Sequence, residues 1–359
     1  MSAHLSLAGS TVADSWPMAR VMAGMSAMPV AHAIDLAFLF PAAQPHHDAL
    51  IAETRRHLGG CLTAIETALR VALDQFPEIA GILALSPDPL CWRMICDQPA
   101  LLSPALLAHM RLRGAVSLML RQLGQRDADI GEPVEADGQA VDPAPGDALA
   151  ALALAESRWM TRGGEDWPMR PDVPREFFTE MVWTSSACLA EVVRRAAPDR
   201  ADVMLAAFER AGWAVLADHD ESVSPLMEAE RLVRRMEERA DAPDLLGTAL
   251  GGRRFLLFAA LAARRLRLTM IQVVDILVMA PLPQLAALCR SLGGSDGDYR
   301  HLLLTLRPVR PWLTDTMVIV EAERYQKLDE AQADAMVAAL RTPASFRAKL
   351  DHLLSVRAA

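Results

Sequence analysis

The stretch from Leu245 to Gly294 constrains this chain more than any other. It reads as three consecutive apolar helices: LLGTALGGRRFLLFAALAARRLRL, then TMIQVVDILVMA, then LPQLAALCRSLGG. Apolar residues cover more than one face of the middle segments, which predicts the core of a helical domain. The remainder agrees. Hydrophobic residues make up 52% of the chain but aromatics only 5%. The bulk is therefore Ala, Leu, Val and Met, a mix that loses little on entering a helix. Period-two runs and Asn-Gly or Asp-Gly hairpins between alternating strands are missing. The expected fold is all-α, with a helical-repeat-like N-terminal half of HEAT-like hairpins and a C-terminal helical bundle.

The 359 residues divide by pattern. Residues 1–45 are Met- and Ala-rich and poorly determined, with one helix expected near Ala31–Phe40. Residues 46–124 form a helical, repeat-like domain. It opens with an amphipathic helix over His47–Leu73, in which Glu53, Arg55, Arg56 and Glu66 take the polar positions. Ser103 followed by Pro104 supplies a helix start, with Ser as N-cap and Pro at the first position. Residues 125–148 are acidic and rich in Pro and Gly, with no hydrophobic period, and read as a linker. Residues 149–359 form the C-terminal helical domain. Within it Leu226, Ala229, Val233, Met236 and Ala240 recur at 3-4 spacing, the stripe of a solvated helix docked by one face. The paired glycines (Gly59-Gly60, Gly163-Gly164, Gly251-Gly252, Gly293-Gly294) read as helix ends or loops.

The net charge of −9 is concentrated. Residues 125–148 carry one basic and seven acidic groups, while the flanks are nearly balanced. Neither half is basic enough to predict nucleic-acid binding from bulk charge. Arg supplies almost all the basic residues, Lys327 and Lys349 being the exceptions, a usage that suggests a GC-rich bacterial genome. Cys61, Cys91, Cys96, Cys188 and Cys289 are odd in number and form no CxxC, which points to buried thiols in a reducing cytoplasm. No run reaches the length of a membrane span. The stretch from Arg20 to Ala33 ends in a cleavage-like Ala-His-Ala, but Gly24, Ser26 and Pro29 interrupt its apolar part, so a signal sequence is not expected.

The blocks LLGTALGGRRFLLFAALAARRLRL, VVDIL, LAALCRSLGG and YRHLLLTLRP, in that order, resemble the C-terminal signature of an alphaproteobacterial family known as domain of unknown function 2336. The helix VPREFFTEMVWTSSACLAEVV and the upstream segment from FPEIAGILAL to MRLRG resemble it too, so the likeness covers residues 75–310. The shared motifs are packing patterns. The resemblance implies an all-helical bacterial cytoplasmic protein and supplies no activity and no catalytic residue.

Chemical motifs are few. There is no GxSxG, HExxH, GxxxxGK[ST] or strand-borne GxGxxG, so no catalytic, cofactor-binding or metal-ligating residue is predicted. Asp218, His219, Asp220 and Glu221 cluster after a helix and read as a polar terminus. Asp296 and Asp298 lack the rest of an EF-hand loop. His46-His47 reads as an exposed turn. FAALAARRLRLTMIQVVDIL has the outline of a helix-turn-helix, with Thr269 and Gln272 as a capping box, yet its second helix offers only Gln272 to a base and carries Asp275. Arg253, Arg254, Arg264, Arg265 and Arg267 form a candidate interaction surface, the first pair eleven residues before the second. The leading expectation is a non-enzymatic cytoplasmic interaction or regulatory module with a protein partner. A DNA-binding regulator using 255–278 and an enzyme with a site between the two halves are the alternatives.

Overall fold

The computed structural model describes residues 39, 48–86, 89–129, 143–342 and 346. Among them every regular element is helical and none is a strand. The expected helix over Ala31–Phe40, the signal-like stretch and His46-His47 fall outside the described residues, Leu39 excepted. Contacts divide the chain into two compact units, one within His32–Met236 and one taking the chain from Glu237 onward.

In the first unit α1 (Ala49–Leu73) starts at Asp48, whose carboxylate accepts from Ile51 N at 2.9 Å. It is followed by α2 (Pro77–Ala84), α3 (Cys91–Asp97), α4 (Pro104–Asp129), α5 (Pro143–Met160), α6 (Arg175–Ala196), α7 (Ala201–Ala217) and α8 (Pro225–Arg235). Ser103 caps α4 as expected, its hydroxyl accepting from Leu106 N at 3.2 Å. The central helix is α1, which packs most extensively on α4 and also on α6 and α7, while α5 lies on α8 and α4. Of the expected seam, Leu226, Ala229 and Val233 are buried on α8, but the helix ends at Arg235, so Met236 is only half-buried and Ala240 lies in a separate short 3-10 helix of the second unit.

Two features depart from the sequence reading. The acidic segment was expected to separate two domains, yet α4 runs to Asp129 and α5 starts at Pro143, and both belong to one unit. Of the helices after it, α5 packs on α4, α6 and α7 pack on α1, and α8 packs on α5, so the break in composition does not mark a change of unit. Gly59-Gly60 is not a helix end either. It lies buried within α1, where the missing side chains let the loop after α5 lie against the helix. Met169 N donates to Gly60 O at 2.9 Å, and a Cβ on Gly60 would stand 2.7 Å from the Trp167 carbonyl.

The second unit holds α9 (Leu245–Gly251), α10 (Phe255–Leu266), α11 (Met270–Val278), α12 (Leu282–Ser291), α13 (Asp296–Thr305), α14 (Asp315–Gln326) and α15 (Glu330–Leu340). The apolar block is four helices, since its first segment breaks after Gly252. Residues 255–263 of α10 are buried all round, and α12 is clasped by α15. Arg310 is buried at the far end of α11 and donates to the carbonyls of Leu277 and Ile276 at 3.0 and 2.9 Å. It thus places a positive charge where that helix exposes its negative pole.

Candidate functional site

A groove in the first unit combines apolar walls with ionisable groups at one end. Ala64, Ala68 and Ala72, at four-residue spacing on α1, line one wall with Val71. Ala214 and Val215 of α7 line the other, and Phe178 of α6 lies between. The groove encloses about 420 Å³. Val71 is 66% exposed, and Trp213, beside Ala214 on α7, is 59% exposed. Trp213 stands edge-on to Trp183 with ring centroids 5.3 Å apart.

Arg170, Asp218, His219 and Asp220 close one end. His219 is committed to the fold: its ring stacks on Phe178 at 3.9 Å and Nε2 lies 2.9 Å from the Val173 carbonyl, to which it donates. Burial pushes its pKa down, so the ring is neutral near pH 7. Asp220 accepts from Ser222 N at 2.9 Å, and the side-chain and backbone bonds of Ser222 hold its carboxyl below the usual range. Among the described residues no group of three or more His, Cys, Asp or Glu is placed to hold a metal ion.

The wall carrying Arg170 is fixed from behind by a buried charge cluster. Arg113 Nη1 meets Asp172 Oδ1 at 2.5 Å, and its Nη2 donates to Arg170 O at 3.1 Å. Trp159 Nε1 also donates to Asp172, at 3.1 Å. Arg113 Nε donates to His57 Nδ1 at 2.8 Å, while His57 Nε2 lies 2.9 Å from Arg56 Nη2 and 3.3 Å from Glu53 Oε1. Arg56 Nη2 donates to Glu53 Oε1 at 2.6 Å and to Trp159 O at 2.8 Å. Burial pushes His57 down to about 3. Burial acts to raise Glu53, but hydrogen bonds from His57, Arg56 and Ser117 outweigh it and hold this carboxyl below the ordinary range. Further along the loop Glu165 accepts from Arg55 at 2.7 and 2.9 Å and from Trp92 Nε1 at 3.0 Å.

Sequence reasoning missed this cluster. Glu53, Arg56 and Glu66 were expected on a solvated face and are buried. Each is paid for by a partner distant in sequence, and helical periodicity carries no trace of those partners. Glu66, for example, accepts from Leu90 N and Cys91 N at 2.9 and 2.8 Å and so caps α3 from another helix.

The five arginines of the second unit do not share one helix side. Arg253 sits in the turn before α10 with φ 56°, and Arg254 is the residue at the N-cap. The eleven-residue spacing therefore runs from a turn into the last turn of α10. There Arg264 pairs with Asp241 at 2.7 Å, and Arg265 donates to the Ala242 carbonyl. Arg267 is exposed and left-handed, with φ 51°.

The helix-turn-helix outline and the capping box are present in α10, Arg267–Thr269 and α11. The exposed positions of α11, however, are Ile271 and Asp275, and the Gln272 amide donates to Leu340 O at 3.0 Å. The one side chain suited to a base edge is thus engaged within the fold. A smaller cavity of about 210 Å³, bounded by Leu246, Leu250, Phe258 and Leu302, lies elsewhere in this unit. Of its two carboxylates, Asp244 and Asp298, the latter accepts from Ser295 N at 2.8 Å in a second capping box.

All five cysteines are free, four of them buried. No helix among the described residues is long and apolar enough to cross a membrane. Comparison of the chain with protein-family models, with curated proteins and with solved structures gives no match.

Proposed function

We propose that this chain is a non-enzymatic protein-interaction or regulatory module, and that its docking surface is the groove between α1 and α7. The observation that carries this reading is the pairing of an alanine-walled groove with two large apolar side chains, Trp213 and Val71, left in water beside it. Exposed aromatic groups beside a small-residue groove are the usual anchors of helix recognition. With His219 neutral, Asp218 and Asp220 outweigh Arg170, so the closed end carries net negative charge. The occupant that fits is an amphipathic helix of another protein, with small apolar residues along the groove and a Lys or Arg at the acidic end. The bacterial, cytoplasmic setting and the likeness to the family of unknown function 2336 belong to the same proposal.

The test is affinity purification of the tagged full chain from its host beside three variants. Ala68→Glu fills the groove, Trp213→Ala removes the anchor, and an Arg264, Arg265 and Arg267 triple Ala variant alters only the second unit. A protein retained by wild type and by the triple variant, but lost with Ala68→Glu and reduced about tenfold with Trp213→Ala, supports the groove. Retention that ignores both groove variants, or reproducible turnover of a small molecule by the purified chain, overturns the proposal.

A further inference from the structure

We infer that the cavity of the second unit binds a small amphipathic amine, its apolar ring inside and its ammonium group at Asp244 and Asp298. The chamber is walled by Leu246 and Leu250 of α9, Phe258 of α10 and Leu302 of α13. Cys289 of α12 completes the wall, and burial pushes its thiol up to about 11, so it stays uncharged. The volume of about 210 Å³ sets the size of the guest. It exceeds the ~150 Å³ that holds a benzene ring and falls short of the ~300–1,000 Å³ of sites for larger ligands. One ring with a short chain fits, and a nucleotide does not. One residue of the wall has no cause in the packing. Gly247 lies inside α9 and borders the cavity, where glycine weakens a helix relative to alanine. A Cβ there would meet nothing within 4 Å. Crowding therefore does not call for glycine, and the missing side chain leaves that flank of the cavity open.

The charges at the rim select the head group. Asp244 and Asp298 are both exposed, and among the described residues no Lys, Arg or His borders the cavity. The Asp244 side chain makes no capping bond to α9. Asp298 accepts from Ser295 N and from Ser295 Oγ, both through Oδ2, and neither bond uses Oδ1. Those bonds hold its carboxyl below the usual range, so it is anionic near pH 7. Two carboxylates beside an apolar chamber attract a cation and repel a carboxylate or phosphate. A bare cation would leave the chamber unfilled. An amine carried on a ring satisfies both parts of the site, its three N–H groups donating to the carboxylates.

Titration of the full chain, labelled at its leucine methyls, with phenethylamine at low salt tests this by nuclear magnetic resonance. The expected result is saturable shifts at Leu246, Leu250 and Leu302 with a Kd of about 0.1–1 mM. Ring protons of the probe should show nuclear Overhauser contacts to the same methyls. 3-Phenylpropionate, with a similar ring and the opposite charge, should bind at least about tenfold more weakly. The double variant Asp244→Asn, Asp298→Asn keeps an acceptor for Ser295 N and should lose about tenfold for the amine alone. Gly247→Leu should exclude the amine while melting no lower than wild type, since leucine favours the helix. No saturable shift up to about 10 mM overturns the inference. So do equal affinities for the two probes, contacts to methyls outside the cavity, or amine binding indifferent to the double variant.

Discussion

Arg113 and Asp172 show how much of this fold rests on single charges. Both are buried, and each is the other's counter-ion. Asp172→Asn leaves the guanidinium uncompensated and should cost about 3–5 kcal/mol, read as a fall in the urea midpoint at constant slope. The histidines set a pH dependence of definite sign. Burial lowers His57 to about 3 and His109 to about 4, from 6.5 for the free ring, and it lowers His219 as well. Below about pH 6.5 the unfolded chain binds protons that the folded chain refuses, so stability falls with acid. Glu53 acts in the same direction further down, its contribution being lost as pH falls below the ordinary carboxylate value of 4.5. The urea midpoint should therefore drop between about pH 7 and about pH 5, and equal midpoints would exclude the neutral buried imidazoles. None of this was legible in the sequence. Glu53 and Arg56 fall on α1 as solvated charges would, and their burial depends on Trp159, Ser117 and Thr161, more than 40 residues away.

At the scale of elements, three helices end in the same way. After α9, α10 and α12 the chain turns through a left-handed residue: Arg253 with φ 56°, Arg267 with φ 51° and Gly293 with φ 80°. In each case the next amide reaches back to close the last turn: Arg254 N to Ala249 O at 2.9 Å, Leu268 N to Ala263 O at 3.0 Å and Gly294 N to Cys289 O at 2.9 Å. Only the third uses the residue that this conformation favours. Arg267→Gly should stabilise the chain by about 0.5–1 kcal/mol, and Gly293→Ala should destabilise it by about 1 kcal/mol, both read from thermal melts. Two shifts of the same sign would contradict that account. These helix ends also explain what could be read from the sequence. The caps at Ser103 and Thr269 have side-chain chemistry and mark their helices. Gly251-Gly252 marks the end of α9 as its sequence suggests, although the left-handed position itself falls on the arginine that follows.

For the whole molecule, the helical class follows from composition and period, while the division of contacts at Met236 and Glu237 left no compositional mark. The groove was equally hidden. Ala64, Ala68 and Ala72 look like ordinary helix filler, and only the packing of α7 against α1 turns them into a wall. The cluster behind that wall also bears on how the protein is made. Arg113 lies on α4, whereas Asp172 follows 59 residues later. When α1 and α4 leave the ribosome, closing them on each other would seal a cation away from water with no anion beside it. The hairpin must therefore stay loose until the loop after α5 has been translated. A nascent chain stalled before Asp172 should remain open to protease along α1 and α4, and one stalled after α6 has emerged should resist it.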